Sequence, residues 1–444
     1  MLRHAIHRFL FAASAGSIDM GPNASGVAFD RSWDVAPVTF CMRLPCDPRL
    51  TPLTSISSAV FYIHELVHIH EQRRERRFSP GGRPMEYNIT EGIAGMVPTV
   101  NLAAEQGRLD FYRRAHGESL APLWRVLHGL VTDVPRPQCV PAHWAYDRVR
   151  PYLMEACEHI TPEEAERRVM VLENPGMPGQ SRITQSLFGG LQVILPGEIA
   201  PTHRHVASAL RFIIEGHDAY TAVAGERTTM EPGDFVITPS MTWHDHGNES
   251  DAPMVWLDGL DMHIVNLFAA SFRDGYPDAM HPQTRPEGAA HAEFGTNMLP
   301  IDFHSGSRTS PIFNYPYRAS REALEKLRRM RDPDRWHGFK MKYANPLNGD
   351  WAMPTIATWL QLLPKGFRGA ACRSTDSTAF VVVEGTGTTQ IGAHTFSWGP
   401  RDIFVAPSWM PVRHQADSDA VLFGYSDRAV QEKLDFWREE KDDD

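Results

Sequence analysis

The sequence predicts a mainly β protein: two tandem jelly-roll barrels, or double-stranded β-helices, with helical N-terminal and connecting segments. Three observations predict it. Short apolar runs of strand length recur between Pro-Gly and Gly-Asp turns, as at Pro196-Gly197 and Pro232-Gly233-Asp234. The strand-rich stretch occurs twice, in two regions that align with each other. The segments before and between the copies carry helical patterns instead of alternating ones.

The chain has 444 residues, enough for two domains that each bury a core. Residues 1–101 read as an atypical leader, partly disordered or of unassigned role. Its first fifteen residues faintly resemble a signal or transit sequence, but the apolar run is short. Residues 102–168 read as a helical N-terminal segment. Leu109, Tyr112, Leu120, Leu123, Trp124 and Leu127 form a rough helical stripe, broken at Gly117 and Pro122. A further helix is expected from Thr161, which suits an N-cap, with Pro162 in the first turn and Glu164 completing a capping box. Residues 169–268 form the first barrel, through runs such as Leu191–Leu195, Leu210–Ile214, Phe235–Ile237 and Met254–Leu257. Residues 269–353 connect, with one helix expected over Ser320–Arg331 and stopped at Asp332-Pro333. Residues 354–429 form the second barrel, and 430–444 a charged tail.

Composition excludes some functions. Hydrophobic residues make up 42% and charged residues 22%, as in a globular protein. No run of eighteen apolar residues would span a membrane. A formal net charge of -10 without a basic cluster argues against nucleic acid as a partner. The five cysteines form no CxxC pair and no even framework, which fits a reduced, cytoplasmic setting.

The repeat is informative where its copies differ. His203-Arg204-His205 and Leu210 to Gly216 align with Cys372-Arg373-Ser374 and Ala379 to Gly385. Gly233 to Ser240 corresponds to Pro400 to Ser408 with a one-residue shift. His203 becomes Cys372, His205 becomes Ser374, and His244 becomes Val412. The first copy thus keeps three imidazoles where the second has none. Packing histidines would not be expected to vanish as a set. His414, aligned with His246, has no ligands near it and reads as structural.

Residues two apart on a strand point the same way, so His203 and His205 project together into the barrel. His244, on a later strand after Pro239, closes a triangle. Neutral imidazoles suit iron, zinc, copper or nickel, and residue type alone leaves the metal open.

Gly197 followed by His203-Arg204-His205, and Gly233 followed by Pro239, His244 and Asn248, resemble the two motifs of cupins. Cupins commonly place a glutamate ligand shortly after the second histidine. Here Ala209, Leu210 and Arg211 occupy that stretch. Three neutral ligands leave positions open and the metal's charge uncompensated, which favours an anionic ligand. The match narrows further. Residues 203–216, 171–175, 242–248 and 256–261 resemble gentisate, salicylate and 1-hydroxy-2-naphthoate dioxygenases. The resemblance runs from about residue 102 to the C-terminus and leaves the leader without a counterpart.

The resemblance implies one Fe(II) per chain, held in the first barrel by His203, His205 and His244. It implies a small aromatic 2-hydroxy acid and O2 as partners in aromatic catabolism, and a homotetramer. Gentisate would be opened between its carboxylate- and hydroxyl-bearing carbons to give maleylpyruvate. Arg211 is the first choice to grip the carboxylate and Arg167 the second, since a guanidinium offers two parallel donors. Arg167, beside Arg168, also reads as an ordinary surface arginine. His246 shares a face with His244 and is placed as a proton acceptor or hydrogen-bond partner. A supporting structural histidine is the alternative. Gln192 and Asp258 match pocket positions, although a buried structural hydrogen bond explains either nearly as well. Phe188, Val169 and Asp258 are expected to choose among the aromatic acids.

Two other classes compete. His64-Glu65-Leu66-Val67-His68 matches the HExxH pattern of zinc proteases, but no third ligand or protease domain accompanies it. A non-catalytic or isomerase-type cupin would keep the fold without oxygen chemistry.

Overall fold

A computed structural model describes residues 102–442. The chain divides into two units, residues 1–110 and 111–444. The HExxH segment and the rest of the leader lie outside the described residues.

Five elements come first: α1 (Leu102–Gly117), α2 (Leu123–Leu130), β1 (Ala142–Trp144), α3 (Tyr146–His159) and α4 (Pro162–Ala165). The break between α1 and α2 falls at Gly117 and Pro122, as the sequence suggested. Pro122 takes an extended conformation, which a proline favours ahead of a helix. Thr161 caps α4, its hydroxyl accepting from the Glu164 N–H at 3.2 Å. The helix expected there is a single turn, because Glu166 adopts a left-handed φ of 54° and ends it. That bend sends the chain directly from Arg167 into the next strand.

The first barrel comprises β2 (Arg168–Val171), β3 (Phe188–Ile194), β4 (Ile199–His205), β5 (Ala209–Glu215), β6 (Ala219–Val223), β7 (Glu226–Met230), β8 (Phe235–Thr238), β9 (His244–Asn248) and β10 (Met254–Leu260). The connecting region holds α5 (Met262–Leu267), β11 (Arg273–Gly275), α6 (Ala289–Phe294), β12 (Asn314–Tyr315), α7 (Tyr317–Met330) and β13 (Phe339–Lys342). The helix expected at Ser320–Arg331 is α7, one turn longer at its start. The second barrel comprises β14 (Ala357–Leu363), β15 (Cys372–Ser374), β16 (Thr378–Glu384), β17 (Gly387–Ile391), β18 (His394–Trp398), β19 (Ile403–Ala406), β20 (Val412–Ala416) and β21 (Ala420–Ser426). Helix α8 (Arg428–Lys433) and β22 (Glu439–Lys441) follow.

The duplication is visible in the pairing. One sheet runs β12-β8-β5-β10-β3-β2, and its counterpart β1-β19-β16-β21-β14-β13. The opposing sheets run β11-β4-β9-β6-β7 and β18-β17-β20-β15-β22. His203 pairs with His244 across β4 and β9, as Cys372 pairs with Val412 across β15 and β20. The barrels also exchange strands. β1, from ahead of the first barrel, pairs with β19 of the second. β12, from the connecting region, pairs with β8 of the first.

The main core joins residues of both barrels' six-stranded sheets, and Phe212 of β5 stacks on Phe423 of β21 at 4.1 Å. Every residue of β5 and β21 is therefore buried, one face toward the other barrel and one inward. This explains their continuous apolar runs, where a strand with one wet face would alternate. A second cluster, with Trp359, Phe380, Trp398 and Phe404, packs within the second barrel. The first barrel's interior instead carries buried polar side chains, including His203, Arg211, His244, His246 and Asp258. Such groups are costly in a barrel unless they are bonded or used.

Candidate active site

Strand β4 places His203 and His205 on one side, and its pairing with β9 brings His244 opposite His203. The ring centroids lie 5.1 Å apart for His203 and His205, 4.2 Å for His203 and His244, and 5.1 Å for His205 and His244. One ligand atom from each lies within 4.8 Å of the others, and the group contains no carboxylate.

The tautomers follow from the partners. Nδ1 of His205 lies 2.6 Å from the Ala207 carbonyl, and Nδ1 of His244 lies 2.9 Å from the Thr242 carbonyl. A carbonyl only accepts, so each Nδ1 carries the proton and each Nε2 keeps a free lone pair. Nε2 of His244 is buried and has no hydrogen-bond partner among the described residues. Leaving such an atom unsatisfied costs about 1–3 kcal/mol, which a bound metal ion would offset. The donor set therefore fits a metal. Burial is the leading cause that holds His203, His205 and His244 neutral, each pushed below the usual imidazole range. Arg211 and, for the first two, Arg167 push the same way.

Both arginines named from the sequence reach this region, but in different states. Arg211 is buried on β5 and donates to the Thr238 hydroxyl at 2.5 Å. Its Nε lies 3.5 Å from Asp258 Oδ1 and makes no hydrogen bond among the described residues. Its guanidinium thus retains donor capacity inside the barrel. Arg167 donates to the Pro201 carbonyl at 2.8 Å, and the same nitrogen lies 2.6 Å from Nδ1 of His203. It is therefore no free surface residue. Burial and the neighbouring Arg211 push Arg167 down to about 10, so it stays charged near neutrality. Two cations against the one carboxylate of Asp258 leave the surroundings of the trio net positive, which suits an anionic ligand.

Asp258 faces Gly190 on one side and Arg211 on the other, through the pairing of β10 with β3 and β5. It accepts from the Trp256 indole N–H at 3.0 Å. Burial pushes its carboxyl up to about 6, against the pull of Arg211. Gln192 is buried on β3, on the same side as Gly190. His246 is fully buried, with Nδ1 2.9 Å from the Thr221 hydroxyl and Nε2 unpartnered among the described residues.

Sequence reasoning missed several supports. Thr221 and Thr238 gain roles only through cross-strand neighbours, and Trp256 gains one through Asp258 two residues along its own strand, although Thr238 and Trp256 lie in stretches the sequence had already singled out. Asp245 points to the opposite side of β9 from the ligand. It accepts from the Thr202 hydroxyl at 2.8 Å and holds His281 Nδ1 at 2.5 Å. Gly190 left no signal because its contribution is space: a Cβ there would meet Val169 Cγ1 at 2.5 Å.

Residues 190–260 match the family of cupin domains. The chain is 56% identical over 339 residues to gentisate 1,2-dioxygenase 1 of Aquipseudomonas alcaligenes, covering 76% of this chain and 98% of that relative. It is 37% identical over 328 residues to 5-aminosalicylate 1,2-dioxygenase of Comamonas sp., covering 72% of this chain and 87% of that protein. Among solved structures, the salicylate 1,2-dioxygenase of Pseudoaminobacter salicylatoxidans with gentisate adducts matches with a TM-score of 0.73 at 29% identity. That match covers 79% of this chain and 97% of the other. The polar barrel interior, its histidine trio and the near-complete coverage of a 56% identical relative lead to one conclusion. The chain belongs to the gentisate 1,2-dioxygenase family of ring-cleaving cupin dioxygenases.

Proposed function

We propose that this protein is an Fe(II)-dependent dioxygenase that opens gentisate between its carboxylate-bearing carbon and the adjacent hydroxyl-bearing carbon, giving maleylpyruvate. The observation that carries this reading is the histidine trio, with the orphaned Nε2 of His244, set beside a buried arginine that keeps an unused donor. His203, His205 and His244 would hold one metal ion in the first barrel. When bound, iron(II) would supply the redox link between the aromatic ring and O2.

The chain's own residues bind and orient. Arg211, with Arg167, grips the substrate carboxylate and sets the ring against the trio. His246 Nε2 holds or accepts the phenolic proton. Asp258 and Gln192 orient the far side of the ring, Asp258 through the hydroxyl opposite the chelating edge. The buried walls exclude water. The ring C–C bond breaks and both atoms of O2 enter the product, so the balance needs no further reductant.

No helix among the described residues is long and apolar enough to cross a membrane. We place the protein in the cytoplasm, acting in aromatic catabolism. We also propose a homotetramer. Helix α2 buries none of its residues, and Leu123, Trp124, Val126, Leu127 and Leu130 are all exposed. Such a face calls for a cover, and another copy is the partner at hand. Light scattering on the purified protein tests the assembly.

Oxygen uptake by anaerobically Fe(II)-loaded protein tests the activity, with gentisate, salicylate and 1-hydroxy-2-naphthoate compared. Stoichiometric uptake with gentisate, and a ring-opened absorbance in parallel, is expected. Uptake with one of the other acids alone reassigns the substrate; relatives carry salicylate-type and naphthoate-type names. No uptake with any acid, despite bound iron, removes the dioxygenase reading.

A further inference from the structure

The second barrel has lost the three imidazoles but not the cavity they would occupy. A space of about 60 Å³ lies against Cys372, Ser374 and Val412, the residues that replace the trio. Other side chains have turned it into a different site. Lys340 enters from β13, directly opposite Gln361 of β14. His414 enters from β20. Gln361 stands at the position of Gln192, and His414 at that of His246.

Gln361 and Lys340 each offer a proton without a hydrogen-bond acceptor among the described residues. Gln361 is 1% exposed, and its Nε2 has no hydrogen bond among the described residues. The Lys340 ammonium lies 4.0 Å over the Trp359 ring and, among the described residues, has no carboxylate within ion-pair distance. Burial pushes Lys340 down to about 8, so it still carries its charge near neutrality.

The tautomer of His414 follows from a relay. The Trp398 indole N–H donates to Thr389 Oγ1 at 2.8 Å, and that hydroxyl lies 2.8 Å from His414 Nδ1. An indole N–H only donates, so the Thr389 oxygen accepts from it. The Thr389 O–H then donates to His414 Nδ1, its acceptor among the described residues. Nδ1 is the bare nitrogen, and Nε2 carries the hydrogen. In the first barrel the corresponding Thr221 meets Met230 Sδ at 3.1 Å, an acceptor where Trp398 is a donor. His246 is thereby free to keep a bare Nε2, whereas His414 presents an N–H.

The other charges at the cavity are already engaged. Arg373 pairs with Glu440, Arg428 with Glu432 at 2.7 Å, and Glu439 with Lys441 at 3.1 Å. Asp376 accepts from the Trp437 indole at 2.9 Å, and its carboxylate, outside ion-pair distance, is the neighbouring charge that acts most on Lys340. What remains is an ammonium, an amide N–H and an imidazole N–H, beside the Cys372 thiol and the Ser374 hydroxyl, in a space too small for an aromatic acid. A set of donors repels a metal ion and complements an anion.

We propose that the metal-free barrel is a binding site for a small carboxylate-type monoanion of the size of formate or acetate, held by Lys340, Gln361 and His414. The site stands whether or not the first barrel holds iron.

The test uses the full-length protein with sodium formate at constant ionic strength, followed by calorimetry and thermal unfolding. Formate is expected to bind saturably and raise the melting temperature. Lys340→Met keeps the stem and removes the charge, and should weaken formate about 10- to 100-fold. Gln361→Met keeps the charge and should weaken it less, which covers the case in which Lys340→Met fails to fold. Crystals soaked in formate should show a planar molecule beside Lys340, and those soaked in bromide an anomalous peak that formate displaces. Equal formate binding by wild type and both variants, or water alone beside Lys340 in the soaked crystals, would overturn the proposal. Bromide occupancy that formate does not displace would overturn the carboxylate class.

Discussion

A terminal nitrogen of Arg167 lies 2.6 Å from Nδ1 of His203, whose ring also faces the Pro201 carbonyl at 3.3 Å. These two contacts compete. A guanidinium only donates, so its approach requires a bare Nδ1, while the carbonyl requires an N–H there. A metal on Nε2 would settle the matter for the N–H form. Arg167 would then have to leave Nδ1 and be released for another anion. Arg167→Ala should therefore keep the metal and raise KM for the aromatic acid about 10- to 100-fold, the worth of one charged hydrogen bond. Metal analysis and steady-state oxygen uptake check this. An unchanged KM would remove Arg167 from substrate binding.

The ligand trio makes a stricter prediction. His203→Ala or His244→Ala should abolish metal binding and turnover together, since two imidazoles leave too few protein ligands. Metal content that survives loss of His244 would show the ligand set to be wrong. Arg211→Ala should instead keep the metal and mainly weaken the aromatic acid.

Asp245 joins the two strands that carry the trio. Its carboxylate holds Thr202, the residue before His203, and His281 of the connecting region. Asp245→Ala leaves the ring and backbone N–H of His281 without their acceptor, while Thr202 keeps the Ala279 carbonyl at 3.1 Å, so it should cost about 2–4 kcal/mol of stability. Denaturant unfolding measures this, and a loss below about 1 kcal/mol would count against the anchoring role. Asp245→Asn, which keeps one acceptor, should lose less.

Asp427 supplies a prediction in pH. Burial, with Asp376 nearby, pushes its carboxyl from 3.8 up to about 6. The folded state then holds this proton more tightly than the unfolded state does. The stabilisation it gives is complete below about pH 4 and is lost as pH rises through 6. Asp427→Asn should flatten that part of the stability curve, by up to about 3 kcal/mol. An unchanged slope between pH 4 and 6 would show that Asp427 does not titrate in this window.

Gly190 gives a prediction about substrate size. An added Cβ would meet Val169 at 2.5 Å and the Phe188 ring at 3.1 Å, and one of them must shift. Gly190→Ala should narrow the pocket and cut kcat/KM for 1-hydroxy-2-naphthoate at least about tenfold more than for gentisate. Equal losses for both acids would place Gly190 outside the part of the pocket that reads ring size.

Much of this protein was legible in its residues alone. Period-two spacing put His203 and His205 on one side of a strand, because successive side chains alternate. Comparing the copies singled out the trio, because Cys372, Ser374 and Val412 cannot do what three imidazoles do. Glu166 marks the limit of local rules: the Thr161 cap was readable, but the left-handed turn that ends the helix was not. What only the tertiary structure decided concerns partners distant in sequence. The tautomers of His205 and His244 depend on which carbonyls face Nδ1. The burial of both faces of β5 depends on the second barrel packing against it. The donor character of His414 depends on Trp398, sixteen residues away in the chain but joined to it through Thr389. Sequence spacing places side chains on faces; proton positions and desolvation follow from what each face meets.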